Sequence, residues 1–211
     1  MNRRIIGYYN YTVLLTYLGM VSACVGLFLA IDGKSWLSVW CLMFAGLCDM
    51  FDGAIASTKQ RDDNQKRFGI QIDSLCDLIG FGVLPGVIGY SLSDNKLFAG
   101  FSAIFITLAA VIRLAYFNVL EENRQKEESC HRKTYLGVPV TTIALVLPVV
   151  FMLNVNGVIV NTLIYQAATL LVGIGFLTPI YINKPQLPGK LAIITVGLLE
   201  AVSMFCFGHP V

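Results

Sequence analysis

Residues 46–80 read GLCDMFDGAIASTKQRDDNQKRFGIQIDSLCDLIG. Long apolar runs flank this stretch on both sides, yet it carries Asp49, Asp52, Asp73 and Asp77. Ionisable side chains in or beside a membrane span are expensive, and they mark sites or pathways by default. Asp49 and Asp52 are three residues apart, and Asp73 and Asp77 are four apart. On a helix each pair shares one face. A loop of roughly a dozen residues joins the two segments, so they read as neighbouring antiparallel helices whose acidic faces meet. Four carboxylates in one pocket repel each other unless something positive sits among them. The simplest counter-charge is a divalent metal, and an all-oxygen donor set suits Mg²⁺ or Mn²⁺, with Ca²⁺ less specific.

Outward from this stretch, the composition is that of a membrane protein. Of 211 residues, 56% are hydrophobic and 13% charged, with mean hydropathy +0.70. Soluble domains average about a quarter charged residues. A formal net charge of +2 gives no reason to expect nucleic acid. Seven stretches approach the roughly 20 apolar residues that a spanning helix needs: 12–31, 36–57, 70–91, 97–119, 138–154, 158–182 and 190–207. The fifth and seventh are short, and Glu200 interrupts the seventh. The expected fold is therefore an all-α integral membrane bundle of six to eight transmembrane helices. The opening Arg3-Arg4 pair and the apolar run after it read as a retained first span, because more spans follow.

Loop charge gives an orientation. With the N-terminus inside, the inner segments hold Arg3, Arg4, Lys59, Arg61, Lys66, Arg67, Arg124, Lys126, Arg132, Lys133, Lys184 and Lys190, whereas the outer loops hold Lys34 and Lys96. That imbalance predicts a cytoplasmic N-terminus. The acidic pairs, Arg113, Asn118, Asn10 and the segment TYLGVP (134–139) then all fall near the cytoplasmic interface of a cell inner membrane. The cysteines at 24, 41, 48, 76, 130 and 206 are scattered and read as small apolar fillers. Neither His131 nor His209 looks like a metal ligand.

The spacing D-x2-D-G-x2-A … G-x3-D-x3-D resembles the signature of the CDP-alcohol phosphatidyltransferases. Here it comprises Asp49, Asp52, Gly53, Ala56, Gly69, Asp73 and Asp77. The resemblance covers residues 8–182 and implies that family's helical fold. On this basis residues 1–211 form one transmembrane catalytic domain, with an extra C-terminal span at about 190–207. It also implies transfer of a phosphatidyl group from a CDP-lipid to an alcohol, with release of CMP.

Carried onto this chain, the resemblance makes Asp49, Asp52, Asp73 and Asp77 the ligands of one or two Mg²⁺ or Mn²⁺ ions. Asp77 is the general base. Asn10, Asp49, Asp52, Gly53, Ala56, Gly69 and Asp73 line the CDP site. Gly53 and Gly69 are expected to let a ligand approach the backbone closely. The elements RLAYFN (113–118) and YLGVP (135–139) are similar to those of the branch that accepts L-serine, with Arg113 and Asn118 on the acceptor or a phosphate. The implied partners are CDP-diacylglycerol, L-serine, membrane lipids and a second copy of the chain in a homodimer.

One position departs from the pattern. The family has Arg directly after the Ala, and here Ser57 stands there. Lys59 and Arg61 are the cations left to substitute, and lysine lacks the fork of arginine. Three rival readings carry the same residues. Glycerol phosphate or inositol phosphate as acceptor would need more cations than Arg113. A divalent-cation transporter would carry polar groups through to the outer face. An inactive family member would use the fold as an interaction scaffold.

Overall fold

The computed structural model describes residues 6–127, 134–158, 161–183 and 187–207. Cys130, His131, His209, Arg3, Arg4, Arg132, Lys133 and Lys184 lie outside that set. The chain is a helical bundle. Its elements are α1 (Leu14–Ile31), α2 (Ser35–Ala56), α3 (Asp63–Asp77), α4 (Leu84–Leu92), α5 (Lys96–Glu127), α6 (Ile143–Val155), α7 (Leu163–Leu177) and α8 (Leu187–Phe207). A π-helical segment, Leu78–Val83, joins α3 to α4 without a break.

Among the described residues, four helical stretches are long and apolar enough to cross a membrane: Tyr11–Ile31, Ser35–Ala56, Asp63–Leu92 and Lys96–Asn123. Three shorter apolar helices follow, at Val140–Val155, Leu163–Leu177 and Ala192–Phe207. The seven expected stretches therefore all appear as helix, with shifted ends.

The third helix starts at Asp63 rather than near residue 70, because Asp62 Oδ1 accepts the Gln65 backbone N–H at 2.7 Å and caps it. Its first two turns are polar, so hydropathy alone misses them. The π segment has a cause in Pro85. Proline in a helix cannot donate to the carbonyl four residues back and clashes with it. A wider turn takes up the misfit, and Thr107 Oγ1 donates to the carbonyl of Gly82 at 3.2 Å. Helix α5 runs through 32 residues, about 48 Å at 1.5 Å per residue. The hydrocarbon layer is about 30 Å thick, so the charged end of α5 extends beyond it.

Small residues let the helices close on one another, as membrane packing requires. A Cβ added at Gly26 would lie 2.9 Å from the Cys41 Cβ, which fixes α1 against α2. One added at Gly46 would lie 2.9 Å from the Ala144 Cβ, which fixes α2 against α6. Polar ties supplement the contacts: Ser38 Oγ donates to the Gly26 carbonyl at 2.7 Å and Gln166 Nε2 to the Gly89 carbonyl at 2.7 Å. The core of Leu42, Phe81, Leu84, Ile88, Ile106 and Leu147 is fully or almost fully buried. Many apolar side chains on the outer faces, such as Phe28 and Ile104, are exposed, as in a protein solvated by lipid. Two short strands, Thr134–Leu136 and Tyr181–Asn183, pair antiparallel and tie the segment after α5 to the segment after α7.

Candidate active site

The end of α2 and the start of the α3 rod lie at the same end of the bundle as the entry to α1. Tyr11 Oη and Thr58 Oγ1 are 3.0 Å apart, and the rings of Tyr8 and Phe68 pack with centroids 5.4 Å apart. The acidic faces do meet here. The carboxyl of Asp49 lies against Asp77, and that of Asp52 against Asp73. All four are half-buried. Oxygens of Asp49, Asp52 and Asp73 all fall within 4.8 Å of one another. Thr16 Oγ1, from α1, donates to Asp52 Oδ2 at 3.3 Å. A narrow cleft opens beside the cluster, lined by Thr16, Gly19, Cys48, Asp49, Asp52 and Asp77.

These residues fit a hard divalent cation. The donors are all oxygen, as Mg²⁺ and Mn²⁺ prefer. Asp73 Oδ1 is buried with no hydrogen-bond partner, a costly state that a cation would relieve. At an effective dielectric of about 20, two full charges 4.8 Å apart repel by about 3.5 kcal/mol. Three mutual pairs make a large penalty with nothing positive between them. Asp77 stands outside the group of three, against Asp49.

Gly53 faces open space, since a Cβ there would meet nothing within 4 Å. Gly69 does not: a Cβ there would lie 3.0 Å from Arg61 Nη1. Ala56 closes α2, and Ser57 turns its hydroxyl back to the Ala54 carbonyl at 2.6 Å. Lys59 Nζ rests 5.6 Å from the centre of the Tyr11 ring. Asn10 caps the turn that leads into α1: its Oδ1 accepts from the Thr12 N–H at 2.9 Å and also from the Thr12 hydroxyl.

Arg113 is buried, lies over the Phe117 ring, and donates from Nη2 to the Gly137 carbonyl at 3.2 Å. Gly137 has φ +78°, a conformation open to glycine. Its position is also tight, since a Cβ there would meet the guanidinium at 3.2 Å. Asn118 lies inside α5, which runs on to Glu127, so it is no helix cap. Its Oδ1 accepts from Ser74 Oγ at 2.8 Å, and its Nδ2 faces Gln71 Oε1 at 3.4 Å.

Sequence reasoning missed Thr16, Ser74 and Gln71. Thr16 had a signal, as a hydroxyl on an otherwise apolar turn of α1. Ser74 and Gln71 had one too, since they lie three apart on the helix that carries Asp73 and Asp77. None of the five described cysteines, at 24, 41, 48, 76 and 206, is in a disulfide.

A helical membrane bundle with an all-oxygen acidic cluster at one end, built on two antiparallel helices, defines a class of polytopic membrane proteins. The chain belongs to the CDP-alcohol phosphatidyltransferase family, whose model matches residues 9–178. It is 36% identical over 105 residues to the CDP-diacylglycerol–serine O-phosphatidyltransferase of Saccharomyces cerevisiae, covering 48% of this chain and 37% of that protein. It is 28% identical over 218 residues to the protein of the same name from Methanocaldococcus jannaschii, covering 99% of this chain and 93% of that one. It is 32% identical over 132 residues to the archaetidylserine synthase of Methanothermobacter thermautotrophicus, covering 62% and 53%. The match thus spans little more than a third of the yeast relative and about half of the archaetidylserine synthase.

Proposed function

We propose that this chain transfers a phosphatidyl group from CDP-diacylglycerol to L-serine, giving phosphatidylserine and CMP, at the cytoplasmic face of a cell inner membrane. The observation that carries the reading is the meeting of Asp49 and Asp52 with Asp73 and Asp77 in the register of the family motif. Serine as acceptor is supported by the relatives, all three of which carry it in their names. A phosphorylated acceptor would bring extra negative charge to a site already rich in carboxylates.

Asp49, Asp52 and Asp73 would hold Mg²⁺ or Mn²⁺, with Asp77 sharing, and the ion would neutralise charge on the diphosphate and the departing CMP. Asp77 accepts the proton of the serine hydroxyl. The serine oxygen then forms a bond to the phosphorus that bears diacylglycerol, and the bond from that phosphorus to the CMP oxygen breaks. Thr16 orients Asp52 through its hydrogen bond. Gly53 leaves room for the nucleotide against α2. Arg113 and Asn118 are assigned to the acceptor side: Asn118 with Ser74 forms its polar wall, and Arg113 fixes the Gly137 turn that borders it. Asn10 shapes the segment entering α1 on the cytidine side.

The test is purified protein with CDP-diacylglycerol, Mn²⁺ or Mg²⁺ and a panel of alcohols, with CMP release followed. Release with serine is expected. No release with any alcohol refutes the transferase reading, and release with glycerol phosphate but not serine refutes the acceptor. Crosslinking in the membrane tests the homodimer, which the family resemblance implies.

A further inference from the structure

Four cations lie between the end of α2 and Gly69: Lys59 and Arg61 in the loop, Lys66 and Arg67 on the first turns of α3. Three of them are exposed, and only Arg61 is half-buried. Lys66 pairs with Asp63 at 3.5 Å, and Lys59 lies beside the Tyr11 ring. The two acids that follow Arg61 do not neutralise it. Asp62 is engaged by the Gln65 N–H and Asp63 by Lys66. Arg61 has no ion-pair or hydrogen-bond partner among the described residues. Its Nη1 comes within 3.0 Å of the point where a Cβ on Gly69 would stand. Gly69 is four residues before Asp73, so the guanidinium lies across the face of α3 that carries Asp73 and Asp77. A half-buried guanidinium without an anion is an incomplete arrangement, and its planar fork matches phosphate oxygens better than any other side chain does.

We infer that Arg61 binds the diphosphate of the CDP-lipid, and that residue 69 is glycine so that this guanidinium can lie across the start of α3. The inference rests on the transferase reading for its ligand. It assigns Gly69 a different part from close ligand approach: the glycine seats a side chain. It also resolves the departure at position 57, because Ser57 turns its hydroxyl to its own helix while Arg61 supplies the cation from four residues further on. Lys59 does not, since its Nζ rests 5.6 Å from the centre of the Tyr11 ring.

The measurement is equilibrium binding of labelled CDP-diacylglycerol to purified protein in nanodiscs of phosphatidylcholine, alone and with added phosphatidylglycerol. Wild type is compared with Arg61→Ala, Arg61→Lys, Gly69→Ala and the Arg61→Ala/Gly69→Ala double variant, with thermal midpoints as the folding control. Arg61→Ala weakens binding by about tenfold to a hundredfold, the range of a lost charge-assisted contact. Arg61→Lys falls between. Gly69→Ala weakens binding in the wild-type background but adds nothing to Arg61→Ala. Adding Ser57→Arg to Arg61→Ala recovers part of the loss.

Arg61→Ala binding as tightly as wild type overturns the inference. So does a Gly69→Ala effect of equal size in both backgrounds, or a loss confined to discs containing anionic phosphatidylglycerol, which would make Arg61 a membrane-surface contact. Binding needs no acceptor, so the two readings fail separately. Arg61-dependent binding without CMP release refutes the transferase and leaves this inference standing, whereas a wild type that binds no CDP-lipid refutes both.

Discussion

Replacing Asp73 by Asn should reverse its effect on stability according to whether divalent cation is present. In chelator, Asp73 makes two close repulsive pairs, with Asp49 and Asp52, all within 4.8 Å. At the 4.8 Å outer limit and full ionisation each pair costs about 3.5 kcal/mol, about 7 kcal/mol for the two. Movement of the side chains and entry of water reduce this to a fraction. A relief of about 1–2 kcal/mol raises the unfolding midpoint by about 4 °C for a chain of this size. With Mn²⁺ the order inverts. At a hundredfold excess over the dissociation constant a bound ion stabilises by about 2.7 kcal/mol, and the variant has lost one of three ligands. The assay is thermal unfolding in detergent micelles, with EDTA and with a Mn²⁺ titration, for wild type and Asp73→Asn. If Asp73→Asn lowers the midpoint equally in both conditions, the cluster is not a cation site held apart by its own charge.

Asp77→Asn should lower turnover by at least about a hundredfold, the usual size of a general-base contribution, while CDP-lipid binding stays close to wild type. Unchanged CMP release with serine would remove Asp77 as the base. Gly46→Ala should lower the unfolding midpoint by the equivalent of about 1–3 kcal/mol, because its Cβ would lie 2.9 Å from that of Ala144. Gly100→Ala, whose Cβ would make an ordinary 3.8 Å contact with Tyr90, is the control, and equal losses from both would refute the packing account.

The parts of the molecule that were legible in the sequence follow from local rules. The apolar runs name the helices, and the i, i+3 and i, i+4 spacing of Asp49, Asp52, Asp73 and Asp77 names the face on which they meet. What was not legible depends on partners distant in sequence or on caps outside the apolar run. The polar start of α3 is set by Asp62, which no hydropathy window detects. Strands 134–136 and 181–183 find each other only after α6 and α7 fold back between them. Arg113 looked like a cation for substrate, yet the structure puts the Gly137 carbonyl 3.2 Å from it. Gly69 looked like open backbone, yet Arg61 covers it.

The π-helical segment between Asp77 and Leu84 has a consequence of phase. In an ordinary α-helix each residue advances the side chains by about 100°. A π turn takes up extra chain without that advance. The face of α3 that carries Asp73 and Asp77 is therefore offset from the face of α4 that buries Leu84 and Ile88. Regularising 78–83 to α-helix with all six residues kept would leave both halves helical. It would also turn the carboxylates about a third of a revolution away from Asp49 and Asp52. The rod works as a coupling between two gears, and Pro85 fixes the tooth at which they mesh.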